Sequence, residues 1–294
     1  MRPKVGITCG CPCGIGPEIV AKAILESCVR DICEPVVFGN ADNRSPVADH
    51  RTCGHISMQA VDDAVRAVMA GEVSAIVTAP INKAHWKAAG SPFPGHTEYL
   101  ASVTGSGKVA MMMMSPMLKV TLVTTHLSIS DVPRNISLEK ICDATRLTAD
   151  FLGSSLRTAC NKPRIAVCAL NPHSGDSGTF GSEEEKIIAP AINVLRSEGL
   201  DVIGPCPADT VFHQAAEGKF DAVIAMYHDQ GLAPIKTLAF KDTVNVTLGL
   251  PFVRTSPDHG TAKDIAGKGI ADHYNMVKAI EMAVELIRSR RSEV

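Results

Sequence analysis

The sequence is poor in aromatic residues. One tryptophan, three tyrosines and eight phenylalanines make up 4% of 294 residues, too few for a platform that stacks single-stranded nucleic acid. It also lacks a charge excess. The 29 Lys and Arg residues against 31 Asp and Glu give a formal net charge of −2, which leaves no electrostatic footprint for nucleic acid or an anionic membrane. No apolar run approaches the roughly 18–20 residues of a membrane span. The longest, Val109–Met114 and Lys119–Val123, are interrupted by Ser115, Pro116 and Lys119. The start, Met-Arg-Pro-Lys, carries no apolar core of a secretion signal, so a cytoplasmic location is expected. The ten cysteines include no C-x-x-C pair, and they are expected to be reduced thiols. Cys9, Cys11 and Cys13 stand at alternate positions beside Pro12. That spacing suits one tetrahedral ion poorly, so they are expected to be inert small residues of a turn.

What is present is an alternation of strands and helices. A length of 294 residues suits two domains of about 150 residues each, and 45% hydrophobic with 20% charged residues is ordinary for a globular chain. Strands are predicted at Lys4–Thr8, Val36–Phe38, Ala75–Thr78, Lys108–Met114, Lys119–Thr125, Arg164–Leu170, Asp201–Ile203 and Ala222–Tyr227. Helices are predicted from Pro17 to Leu25, Gln59–Ala70, Ser137–Phe151 with Ser137 as cap, Glu183–Leu195 with Ser182 as cap, Asp209–Glu217 and Met276–Ile287. Asn40–His50 reads as a surface loop, and methionines 111–114 as strand core filler. Repeated β-α-β units imply a mostly parallel sheet flanked by helices.

Ligands of such sheets bind at the carboxyl ends of strands, and polar clusters stand there. His126, His173 and His228 each follow a predicted strand. Three imidazoles at one sheet edge make an open metal site; the alternative is three histidines separately hydrogen-bonded in loops. Asp209 and Asp229 are candidates to orient those imidazoles or a metal-bound water, or else serve as a helix N-cap and a turn residue. Lys236, Asn245 and Arg254 offer a point charge, an amide and a planar fork for a phosphate or carboxylate, or a solvated face. His96 and Thr97, after Pro94-Gly95, can donate to the same anion or cap a helix. The loop from His259, Gly260, Thr261 and Ala262 to Gly269 can bring backbone close to a nucleotide. No G-x-G-x-x-G or Walker Gly-Lys-Ser/Thr stands in the chain, so neither a Rossmann fingerprint nor a P-loop is supported.

Taken in order, several stretches resemble the 4-hydroxythreonine-4-phosphate dehydrogenases of vitamin B6 synthesis and their close paralogues. They are Gly14–Glu18, Thr78–Lys83, Pro94–Glu98, Thr125–Leu127, Leu170–Gly175 with Gly181–Glu184, Pro207–Thr210, Ala225–Leu232 and Asn245–Gly260. The stretch His259–Gly269 is also similar to the adenine-binding loop of isocitrate and isopropylmalate dehydrogenases. The resemblance implies an α/β, two-domain fold of the isocitrate/isopropylmalate-dehydrogenase type, with the active-site cleft between domains. The expected division is 1–105 with 255–294, and 106–254. It implies a homodimer whose active site is shared across the interface. His126, His173 and His228 fall on the family's metal ligands, and His96, Thr97, Lys236, Asn245 and Arg254 on its substrate-binding residues. His259–Ala262 are the expected cofactor contacts.

The activity so implied is oxidation of 4-phosphohydroxy-L-threonine by NAD or NADP, then decarboxylation of the β-keto acid. It uses a divalent metal: zinc, cobalt, manganese or magnesium. Asp229 or a metal-bound water is the expected base. Threonate or erythronate 4-phosphate, or a cis-dihydrodiol carboxylate, are the alternative substrates. A metal-dependent hydrolase, an acyl-phosphate transferase and a silent binding protein are more distant readings. The chain departs from the family at Cys11, where an acid is usual, and in a shortened segment from Asn40 to Cys53.

Overall fold

The computed structural model describes residues 2–40, 49–155 and 162–291. The chain divides into two compact units, Met1–Gly107 with Val244–Val294, and Lys108–Thr243. In chain order the first unit contributes β1 (Lys4–Thr8), α1 (Gly16–Ala23), α2 (Ser27–Ile32), β2 (Glu34–Phe38), α3 (His50–Met69), β3 (Ala75–Thr78), α4 (Lys83–Ala88) and α5 (His96–Thr104). The second contributes β4 (Ala110–Met114), β5 (Lys119–Leu122), α6 (Val132–Asn135), α7 (Leu138–Ser155), β6 (Ile165–Cys168), α8 (Ala189–Ser197), β7 (Val202–Cys206), α9 (Ala208–Ala216), β8 (Ala222–Ala225) and α10 (His228–Ala239). The first unit is completed by β9 (Val244–Leu248), β10 (Val253–Pro257) and α11 (Tyr274–Arg291).

Within the first unit the strand order is β2-β1-β3-β10-β9. The pairings are parallel except β10 with β9. Strand β3 is Ala-Ile-Val-Thr and buried throughout, the signature of a parallel strand covered on both faces. In the same unit Trp86, on α4, is fully buried and donates its indole N–H to Ser57 Oγ on α3 at 2.8 Å. Within the second unit the order is β4-β5-β8-β6-β7. Here β5, β8, β6 and β7 run parallel and β4 antiparallel to β5. Its core joins Val120, Leu122, Val223, Phe212, Phe220 and Ile235. Met112, Met113 and Met114 are buried, as expected of core filler.

Several expectations need correction. Residues 244–254 belong to the first unit, because Val253 of β10 registers with Ala75 of β3 and β9 pairs with β10. The helix predicted from Gln59 starts at His50, where the Asp49 carboxylate accepts from the amides of Arg51 and Thr52 at 3.0 and 3.1 Å. That cap outweighs the polar composition that suggested a loop. Residues 41–48 of that predicted loop lie outside the described residues. No side chain caps α9: its N-cap is Pro207, so Asp209 is not a cap. Ser182 caps nothing with its hydroxyl either. The helix predicted from Glu183 is a π-helical turn, Glu184–Ile188, that runs into α8.

Candidate active site

In the second unit the three predicted histidines follow three neighbouring parallel strands. His126 follows β5, His228 follows β8 and His173 follows β6, and the strand order is β5-β8-β6. Their chain exits therefore stand side by side at one carboxyl edge. The ladder continues past the strand ends: Val123 N–H donates to Ala225 O at 2.9 Å and Thr124 N–H to Met226 O at 3.2 Å. The rings of His126 and His228 stand 5.8 Å apart and line a pocket of about 280 Å³ with Thr125, Tyr227 and Asp229. Leu127 and Ile129 form its exposed rim.

Asp229 Oδ1 lies 2.6 Å from His228 Nδ1. A carboxylate there fixes the tautomer with the proton on Nδ1, and leaves Nε2 as a lone-pair donor. His173 sits in a tight turn, Pro172–Gly175, with φ of 52°, a left-handed conformation that costs a non-glycine residue about 1–3 kcal/mol. Its ring lies against Phe180 at 6.2 Å. The structure gathers the three histidines on one edge without drawing their nitrogens within 4.8 Å of one another. Asp209 is exposed in the first turn of α9. Lys236 is on α10, its ammonium 5.7 Å from the Phe240 ring.

Two polar side chains that sequence reading missed hold this edge in shape. Gln230 accepts from Met226 N–H at 2.6 Å and donates to Ala169 O at 2.7 Å, which ties the end of β8 to the end of β6. Glu184 is buried and accepts from the amides of Leu170 and Asn171 at 2.9 and 2.8 Å and from Asn171 Nδ2 at 2.9 Å. These bonds set the entry into the His173 turn. Burial opposes ionisation of Glu184, but the Asn171 amide and the backbone donors outweigh it and hold its carboxyl below the usual range. A folded-state pKa below the unfolded one stabilises at neutral pH and stops doing so as pH falls through the folded value. Glu184→Gln is therefore expected to cost about 1.5–3 kcal/mol at neutral pH. The difference from wild type should shrink on acidification, as urea denaturation across pH will show.

The first unit holds a different chemistry. Arg254, on β10, is buried and donates to Thr247 Oγ1 at 2.9 Å and Thr78 Oγ1 at 2.6 Å. Among the described residues no carboxylate pairs with it, and burial pulls its pKa down to about 10, with Glu98 opposing. Arg254 Nε, His96 Nε2, Asn245 Oδ1 and Thr8 Oγ1 are buried without a hydrogen-bond partner. Such groups cost free energy unless a ligand satisfies them. Burial, then Arg254 and Lys83, push the His96 pKa well below its ordinary value, so its ring is neutral. His96 and Thr97 open α5, whose N-cap, Gly95, provides no side-chain cap; the first turn of a helix so capped favours an anion. The set fits an anion.

The loop predicted to meet a nucleotide is anchored beside the turn after β1. Thr261 O accepts from Ile15 N–H at 2.9 Å, and Ala262 has φ of 39°. His259 Nδ1 lies 3.1 Å from Gly260 O, and its Nε2 is buried without a partner. Glu18, at the end of the stretch Gly14–Glu18 and given no role from sequence, clamps the far end. It accepts from Ala271 N–H at 2.8 Å and Gly269 N–H at 3.3 Å, and Lys22 donates to it at 2.8 Å. The expectation that the cysteines after β1 are inert turn residues needs correction here. The sulfurs of Cys13 and Cys53 are in contact, and Cys11 lies beside them with His85. The turn after β1 brings Cys11 and Cys13 against residues of α3 and α4, a convergence that alternate spacing alone does not reveal.

In structure the chain matches a 4-hydroxythreonine-4-phosphate dehydrogenase from Klebsiella pneumoniae, with a TM-score of 0.87 and 35% identity over 98% of each chain. In sequence it is 41% identical to the 4-hydroxythreonine-4-phosphate dehydrogenase of Geobacter metallireducens, over 99% of this chain and 97% of that one. It is 39% identical to the D-threonate 4-phosphate dehydrogenase of Cupriavidus necator, over 98% of each. Fold and relatives together define an oxidoreductase of the 4-hydroxythreonine-4-phosphate dehydrogenase type, hence one that uses NAD or NADP. Residues 29–283 match the model of pyridoxal phosphate biosynthetic protein PdxA, and the chain belongs to that family.

Proposed function

We propose that this chain oxidises 4-phosphohydroxy-L-threonine with NAD or NADP and decarboxylates the resulting β-keto acid. The observation that carries the reading is the exit of His126, His228 and His173 from three adjacent parallel strands. The donor set fits a divalent cation: three imidazoles, one of them fixed by Asp229 so that Nε2 is free to ligate. When bound, the cation would supply Lewis acidity to the substrate hydroxyl and carbonyl, and a nicotinamide cofactor would supply the hydride acceptor. All-nitrogen ligation favours zinc, cobalt or manganese over magnesium.

The chain's own residues bind and orient. Arg254, His96, Thr97 and the first-turn amides of α5 take up the phosphate, and Asn245 completes its anchoring. Fixing the far end of the substrate fixes the reacting carbon. His259–Ala262 receive the dinucleotide. Asp229 holds His228 and is the carboxylate at this edge placed to accept a proton; Asp209, exposed on α9, is given no catalytic role. The exposed Leu127 and Ile129 beside the histidines support a homodimer in which a second chain covers this edge.

The threonate 4-phosphate relative keeps a second substrate in view, because the anion pocket serves either phosphate. Nicotinamide reduction by metal-loaded protein, measured with both phosphates in parallel, separates the two. Turnover of 4-phosphohydroxy-L-threonine with release of carbon dioxide supports the proposal. Turnover of D-threonate 4-phosphate alone moves it to the paralogue, and silence with both refutes it. Asp229→Asn is expected to weaken metal binding at this site by about 10–100-fold, read by competition with a chromophoric chelator.

A further inference from the structure

We propose that Cys11, Cys13, Cys53 and His85 form a second metal site, mononuclear and structural, that takes a soft divalent ion of the zinc class. It lies in the first unit, whereas the three histidines belong to the second. The four ligand atoms lie within 4.8 Å of one another. Cys11, Cys53 and His85 are buried and Cys13 is half-buried. They arrive from three places in the fold: the turn after β1, the first turn of α3, and α4.

The size of the group selects one ion. A tetrahedral centre with metal–sulfur bonds of about 2.3 Å and metal–nitrogen bonds of about 2.0 Å has ligand–ligand edges of about 3.5–3.8 Å. Cys11 Sγ and His85 Nδ1 already stand 3.3 Å apart. An iron–sulfur cluster needs its cysteines spread around several irons, and this group is too tight for that. Three thiolates and one imidazole also form one of the ordinary closed sets of structural zinc. Thiolates select zinc-class ions against magnesium or manganese, so this site differs in chemistry from the three-histidine edge.

A Cys13–Cys53 disulfide is the competing use of the same atoms, and the sulfurs are in contact. It employs two of the four groups. It leaves Cys11 fully buried against His85 with no role. The Cα atoms of Cys13 and Cys53 are 6.8 Å apart, at the wide end of what a disulfide spans. A metal employs all four.

Charge and protons also balance. Binding releases the three thiol protons to solvent, and a divalent ion with three thiolates leaves one net negative charge. Lys263 stands ready to neutralise it, its Nζ 2.8 Å from His85 Nε2. With Nδ1 on the metal the imidazole proton resides on Nε2, so the Lys263 ammonium turns from the ring toward the sulfurs. The site then pins the turn after β1 to α3 and α4. That same turn carries Ile15, which holds Thr261, and Gly14, where an added Cβ would lie 2.8 Å from Thr261. Metal loss is thus expected to loosen loop 259–262.

The test uses the full chain purified under reductant without chelator, and does not depend on variants that fail to fold. Cobalt(II) added to metal-stripped wild type should give thiolate-to-cobalt charge-transfer absorption, and three native cysteines should become protected from a thiol reagent. Both should persist in His126→Ala/His173→Ala, which disables the histidine site. In Cys11→Ser/Cys53→Ser one metal equivalent should be lost by elemental analysis, with the charge-transfer bands. Wild-type protein without those bands, or a Cys13–Cys53 disulfide peptide recovered from reduced protein, overturns the proposal.

Discussion

His228→Ala is expected to lower kcat/KM for the phosphorylated hydroxy acid by about a thousandfold or more. Lewis-acid stabilisation of a developing alkoxide is worth several kcal/mol, and each 1.4 kcal/mol or so is tenfold in rate. His228 opens α10, and its Nδ1 is committed to Asp229 at 2.6 Å. Alanine therefore removes a ligand whose orientation the fold has already fixed. It also leaves a half-exposed position, so the expected cost to stability is small. His126→Ala and His173→Ala should behave alike, and pairs of these changes should be little worse than one, because the ligands act as a unit. Initial rates at saturating zinc, with circular dichroism as the folding control, measure this. A variant that keeps activity within about tenfold of wild type would remove the metal from the mechanism.

Much of this edge was legible in the sequence, for a physical reason. A buried parallel strand is a short apolar run, and a histidine just after one marks a carboxyl end. His126, His173 and His228 each carry that mark. What single runs do not carry is lateral order. That β8 lies between β5 and β6 is set by packing across the whole unit. The bonds that stabilise the edge are also long-range. Gln230 reaches Ala169 and Glu184 reaches Leu170, and neither residue is unusual in its local sequence. Strand β10 escaped prediction because Val-Arg-Thr-Ser-Pro is polar in composition although buried at every position. The cysteine group escaped because Cys53 and His85 come from helices far along the chain from Cys11. Spacing within one turn says nothing about partners brought by another element.

Arg254 yields the prediction with the sharpest contrast. Its guanidinium is buried with two threonine hydroxyls, and among the described residues no carboxylate pairs with it and Nε has no partner. A charge in that state destabilises the empty protein, and burial already draws its pKa down to about 10. Arg254→Met should therefore leave the ligand-free protein as stable as wild type or more so, by up to about 1–4 kcal/mol. Substrate binding should move the other way. Losing one partner of a buried, hydrogen-bonded charge pair costs about 2–5 kcal/mol, which raises KM by roughly thirtyfold to several thousandfold. Arg254→Lys keeps the charge but loses the planar fork, and should fall between the two. Inorganic phosphate separates this account from simple damage. A ligand that binds only the folded state raises its Tm, so phosphate should raise the Tm of wild type and not that of Arg254→Met. An Arg254→Met protein that melts well below wild type and still responds to phosphate would show that the guanidinium is a structural prop, and that the anion sits elsewhere.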